Sequence, residues 1–230
     1  MAIPTPHRHS RFPLALAALL AVLAGLVAAP AGASVTLAET LLFQTNHLHQ
    51  VRAPLTLVYD FHKAGSLEDG FDDQVRLLVD AGKGATVLFL SGARARQAPE
   101  IDDPQGNPVL LGFLERDIAE MQRLTGGASS YFRKRIRLAL AASAQVTPRR
   151  FTYGGRSIAG QEVMIEPYRN DPMHARFEHY TGKRYVFVLS PDVPGGIYQL
   201  RTLVPAAPAA GTKAPLLAET LTLVSVDALR

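Results

Sequence analysis

Cysteine is absent from the 230-residue sequence. Its absence excludes disulfides, a thiol nucleophile and a lipid-modified N-terminal cysteine. The domain must therefore stand on its apolar core alone. The common catalytic and nucleotide-binding motifs are missing too. Gly82-Lys83 and Gly182-Lys183 each lack the rest of a phosphate-binding loop. The run GGRSIAG, Gly154 to Gly160, comes close to the Gly-x-Ser-x-Gly elbow of serine hydrolases. Ala159 stands where the second glycine is needed, and QEVMIEP continues as a strand where an elbow enters a helix, so Ser157 is not read as a nucleophile. GSLEDGFDD gathers Glu68, Asp69, Asp72 and Asp73 without the spacing of a calcium loop, and reads as a solvated hairpin turn. No cofactor is implied by any of these stretches.

Long apolar runs are scarce. The one that stands out, Phe12 to Ala29, follows His7, Arg8, His9 and Arg11 and precedes Ala31-Gly32-Ala33. Basic residues, an apolar stretch and a small-residue triplet form the pattern of a secretory signal over residues 1–33, with the mature chain beginning at Ser34. The run is also long enough for an uncleaved anchor, but its alanine content and Pro30 suit cleavage better. Cleavage leaves about 197 residues, enough for one well-filled domain. Loss of Arg8 and Arg11 lowers the formal charge from +4 to about +2. That balance lacks the basic footprint of a nucleic-acid-binding protein.

Periodicity divides the mature chain into three. LAETLLFQTNHLHQV, LTLVYDFHKAG, FDDQVRLLVDAG and ATVLFLSG read as strands up to Leu90. In the second, Leu55, Leu57, Tyr59 and Phe61 alternate with Thr56, Val58, Asp60 and His62 and share one face of a sheet. From about 108 to 142 the period changes. Leu110, Leu114, Ile118, Met121 and Leu124 draw a helical stripe, and Thr125-Gly126-Gly127 supplies a stop. A second helix follows, with Ser129 or Ser130 as cap and Phe132, Ile136, Ala139 and Leu140 as its buried stripe. After Phe151 five further strands are expected, with PDVPGG as a turn and a flexible Ala/Pro/Gly loop between Pro205 and Pro215. The pentapeptide LAETL occurs in the first and last predicted strands, at 37–41 and 217–221. The expected fold is α+β: a curved antiparallel sheet, half-barrel-like, of about eight strands with an inserted helical hairpin.

In order of elements, and most closely in the late hairpin YVFVLSPDVPGGIYQLRT, this layout resembles the periplasmic LolA/LolB-like half-barrels. The resemblance implies a curved sheet and helical lid around a lipid-sized cavity. It implies no particular site residue, since no residue motif of that family is matched.

Candidate binding residues fall in two places. The loop from Glu166 to Tyr185 holds Tyr168, Arg169, His174, Arg176, Tyr180 and Arg184, with Asp171-Pro172 starting a short helix to about Tyr180. Such a set suits an anionic head group or a partner protein, or else packs the base of its own loop. The turn RLTGGASSYFRKRIR sets Ser129, Ser130 and Arg133 at a helix start, where free N–H groups can hold an anion. The same glycines and serines also serve an ordinary turn between helices, with Arg133 meeting the acidic side of the preceding helix. That side, Glu115, Asp117 and Glu120, lies away from the apolar stripe and reads as solvated. His47 and His49, two apart on a predicted strand, would share a face, with His62 as a third metal ligand; a polar strand end is the preferred reading. The function expected is an exported periplasmic, non-enzymatic domain that binds an apolar or amphipathic ligand such as a lipid, with peripheral membrane contact allowed. The alternatives are an envelope protein-interaction or assembly factor with a filled core, and a metal-dependent enzyme.

Overall fold

The computed structural model describes residues 34–82, 84–206 and 214–228. The expected signal at 1–33 and most of the loop between Pro205 and Pro215 lie outside them. Among the described residues, no helix is long and apolar enough to cross a membrane.

Eight long strands carry the sheet: β1 (Leu55–Gly65), β2 (Phe71–Val79), β3 (Gly84–Phe89), β6 (Gln145–Tyr153), β7 (Arg156–Ile165), β8 (Arg184–Leu189), β9 (Ile197–Val204) and β10 (Leu217–Ala228). Two two-residue strands, β4 (Arg96–Gln97) and β5 (Ile101–Asp102), both pair with β3. The spatial order is β4-β3-β2-β1-β10-β9-β8-β7-β6, and every pairing is antiparallel. The first and last long strands are therefore neighbours at the centre, in register over eleven residue pairs from Leu55↔Ala228 to Gly65↔Leu217, with one bulge at Val58/Tyr59. A bulge bends the strand and raises its local twist, which suits a curved sheet.

The alternation expected in β1 is present from Tyr59 onward, whereas Thr56 and Val58, expected on the opposite face, are buried as well. Leu57, Tyr59 and Phe61 are almost wholly buried on the core face, while Asp60 and His62 face solvent. That core face is covered by α2 (Pro108–Thr125) and α3 (Ser129–Ala142). α2 packs against β2, β3 and β9, and α3 against β7. The stripe Phe132, Ile136, Ala139 and Leu140 of α3 is buried as expected. The architecture is the α+β, curved half-barrel of the sequence reading.

The segment after Val35 departs from expectation. It forms a short helix α1 (Leu37–Glu39) that continues as a π-helical turn over Thr40–Gln44, not a strand. Thr36 and Glu39 make a reciprocal capping box: Thr36 Oγ1 accepts from the Glu39 N–H at 3.2 Å, and Glu39 accepts from the Thr36 N–H at 2.9 Å. Those bonds nucleate a helix that alternation alone would not. His47 and His49 consequently lie in a turn and not two apart on a strand.

Candidate functional site

α2 begins at Asn107, which organises one end of the core. Its side chain accepts from the Val109 N–H at 3.0 Å and donates to the Tyr59 hydroxyl at 3.0 Å and to the Gly195 carbonyl at 2.8 Å. Its own N–H donates to His47 Nδ1 at 3.2 Å, while His47 Nε2 lies 2.9 Å from the Leu41 carbonyl. His47 is thus a neutral imidazole with both nitrogens engaged, and burial lowers its pKa. Gly195, at φ +73°, closes the PDVPGG turn against this node; a Cβ there would meet Leu57 and Asn107. His49 Nδ1 sits 2.7 Å from the Asn46 carbonyl, and His62 pairs with Asp72 at 2.6 Å on β1 and β2.

The C-terminal half of α2 is held by charge. Lys63 and Glu219 are direct cross-strand partners on β1 and β10, 3.6 Å apart. Lys63 also donates to Glu68 at 2.6 Å and to Glu120. Arg116 reaches Glu219 and, at 3.5 Å, Glu120, with its guanidinium 4.5 Å over the Phe61 ring. Arg123 pairs with Glu68 and, at 3.4 Å, with Glu120. One turn away Lys183 donates to Asp117 at 2.5 Å, and the Tyr185 hydroxyl donates to the other Asp117 oxygen at 2.6 Å. Asp117 and Lys183 are each 1% exposed. The side of α2 read as solvated is therefore partly core: Asp117 and Glu120 are buried, and Glu115 alone of the three is exposed. Lysines in β1 and beside β8, far away in sequence, supply the countercharges that make this possible.

Burial alone would raise the Glu120 carboxyl, but its side-chain hydrogen bonds, that from Lys63 among them, and the Arg116 charge hold it at about 2. Glu219 goes the other way. Burial, with Glu120 and Asp117 nearby, pushes it up to about 7 against the pull of Arg116.

Beside this network a cleft of about 970 Å³ opens between α2 and the β3 edge. Phe71, Val87, Phe89 and Leu90 form one wall, and Leu111, Gly112 and Ala119 of α2 form the other. The segment from Leu90 to Ile101, which carries β4, closes the outer side with Ala98 and Pro99. Gly112 permits the closest approach of the walls, because a Cβ there would lie 2.0 Å from the Phe89 ring. Arg94, Arg96, Arg116 and Arg123 also line it.

The residues singled out from the sequence are dispersed. Tyr168 is completely buried in an aromatic cluster with Phe132, Phe177 and Tyr185, its hydroxyl 3.2 Å from that of Tyr185. Arg169 pairs with Glu166 at 2.6 Å. His174 and Arg176 are exposed in the first of two 3₁₀ turns, where one short helix was expected, and His174 Nδ1 lies 3.0 Å from the Asp171 carbonyl. Asp171 does not cap a helix: Met173 holds the cap position of the first turn, and Asp171 accepts from the Met173 N–H at 2.7 Å in a two-residue side-chain turn. Neither Ser129 nor Ser130 caps α3: both fall inside it, Ala128 holds the cap position, and the Ser129 hydroxyl donates to Gln122 at 2.6 Å. Arg133 meets the first helix, donating through Nε to Glu115 at 2.8 Å. Sequence reasoning missed the cleft because its outer wall, Leu90 to Ile101, has neither strand nor helix period. The arginines Arg94 and Arg96 beside a phenylalanine-ended strand were the one legible signal.

No protein-family model matches the sequence, and no curated protein matches it. Among solved structures the chain is similar to the lipoprotein LppX of Mycobacterium tuberculosis, at 7% identity and a TM-score of 0.33, over 76% of this chain and 87% of that one. It is also similar to a LolA superfamily protein from Nitrosomonas europaea, at 10% identity and a TM-score of 0.27, over 84% of this chain and 94% of that one. Likeness at this level carries no argument about family or ligand.

Proposed function

We propose that this chain is an exported, non-enzymatic periplasmic domain that holds an apolar or amphipathic ligand, such as a lipid, in the cleft between α2 and the β3 edge. The observation that carries the reading is the cleft itself. Its volume of about 970 Å³ lies at the upper end of the ~300–1,000 Å³ usual for ligand sites. Phenyl rings and aliphatic side chains make up its walls, alongside charged side chains of α2 and of the Leu90–Ile101 segment. Water in such a space makes few hydrogen bonds, so an acyl chain that displaces it is favoured at roughly 25 cal/mol per Å² of apolar surface covered.

Ala119 gives a direct test, because it is exposed on α2 and lines the cleft. Ala119→Trp should place an indole where the ligand lies while leaving the core face of the helix untouched. Native mass spectrometry of the mature chain incubated with envelope lipid extract should show a bound lipid mass, reduced at least tenfold in the variant. A bare monomer that gains no mass from the extract would end this reading.

A further inference from the structure

We infer that the cleft selects an amphiphile with an anionic head, a carboxylate or a phosphate monoester, which Arg94 and Arg96 hold at the mouth while the chain lies along Phe71, Phe89 and Leu111. The inference rests on the binding reading above and specifies its ligand. It follows from which charges around the cleft already have partners.

Two carboxylates line the cleft, and both are engaged. Glu115 accepts from Arg133 at 2.8 Å, and Glu120 is shared by Lys63, Arg116 and Arg123. Two of the four arginines are engaged as well: Arg116 with Glu219 and Glu120, and Arg123 with Glu68 and Glu120. Arg94 and Arg96 differ. Among the described residues neither has a carboxylate within ion-pair distance, and both are exposed. The Arg94 charge helps lower the Asp73 carboxyl, but both Asp73 oxygens are taken by backbone, accepting from the N–H of Gln74 at 2.8 Å and of Ser91 at 3.1 Å. Arg96 spends one Nη1 bond on the Ala95 carbonyl at 2.7 Å.

Arg94 is also oriented. Its guanidinium lies 4.1 Å over the Phe71 ring, and Phe71 lines the cleft. A guanidinium seated on a ring face keeps its N–H donors for other partners, and such a fork takes two oxygens of one carboxylate or phosphate. The apolar wall and the uncommitted cations are thus adjacent on one ring. A neutral amphiphile would use the wall alone, and a cationic one would meet two like charges.

Isothermal titration of the mature chain with laurate, dodecyl phosphate and the neutral monolauroylglycerol, each below its aggregation concentration, tests this. Both anions should bind about tenfold more tightly than the neutral amphiphile. Arg94→Gln/Arg96→Gln should abolish that preference, two exposed charge contacts being worth severalfold each at most, while monolauroylglycerol binding stays the same. Equal affinity of the three amphiphiles for the native chain overturns the inference and leaves the cleft reading intact, as does a preference that survives the double substitution. Inorganic phosphate is the control for source: binding as tight as that of dodecyl phosphate would mean a free-anion site and would also overturn it. Binding of none of the amphiphiles removes the cleft reading itself.

Discussion

Asp117 and Glu219 show how a single buried side chain depends on partners remote in sequence. Asp117 is covered on the core side of α2 and answered by Lys183 at 2.5 Å. Removing only one member of such a pair strands the other. Lys183→Met is expected to cost about 3–5 kcal/mol, and Asp117→Leu combined with it to recover most of that loss. Chemical denaturation of both variants checks the pattern; a double variant no better than the single one would contradict it. Glu219 has a folded pKa of about 7, above the ~4.3 of a free glutamate. Between these values the folded state binds the extra proton, so this group's contribution to stability falls as pH rises through the window. Glu219→Gln should therefore gain on the native chain by about 1–3 kcal/mol between pH 5 and pH 8. A stability difference that is flat over that range would show that the carboxyl is not raised.

At the scale of elements, the helical hairpin and its anchor decide where the cleft lies. Gly126 ends α2 at φ +69° with open space around it, whereas Gly127 has no positive φ and is confined by the Phe132 ring, 2.5 Å from where a Cβ would sit. Valine at either position should destabilise the hairpin, through backbone strain at 126 and through displacement of Phe132 at 127. Thermal melts should show both, and unchanged melting of the two variants would refute the assignment. Asn107 fixes the other end of α2 through three side-chain bonds. Asn107→Ala should lower stability by about 2–4 kcal/mol, combining a lost cap with unsatisfied groups at Tyr59 and Gly195. The stop at Gly126 was readable from the sequence, because glycine in that place has one common use. The cap at Ala128 was not: two serines advertised a role that the backbone placed one residue earlier.

For the whole molecule, β1 against β10 at the sheet centre and short β4 at its edge set a gradient of local stability. Hydrogen exchange should be slowest in Leu57–Phe61 and Leu221–Thr222, paired with strands on both sides, and fastest in Ser91–Gln97, which is exposed throughout. A bound ligand should slow exchange in that outer wall. Ligand-independent exchange there would place the binding surface elsewhere.

Periodicity by itself determined eight long strands and two amphipathic helices, because alternation and the 3.6-residue stripe report a face that must be buried whatever buries it. LAETL marks the limit of that information. At 217–221 it is the strand β10, paired on both sides with β1 and β9; at 37–41 the same five residues turn helically behind the Thr36–Glu39 capping box. Glu219 in one copy is 1% exposed against Lys63 and Arg116, and Glu39 in the other closes a cap. The Thr36–Glu39 box is a local pattern; only the tertiary structure decided the burial of Asp117 and Glu120 and the cleft beside them. Lys63 lies 57 residues from Glu120 and Lys183 lies 66 from Asp117, and no local pattern records where the folded sheet brings such partners.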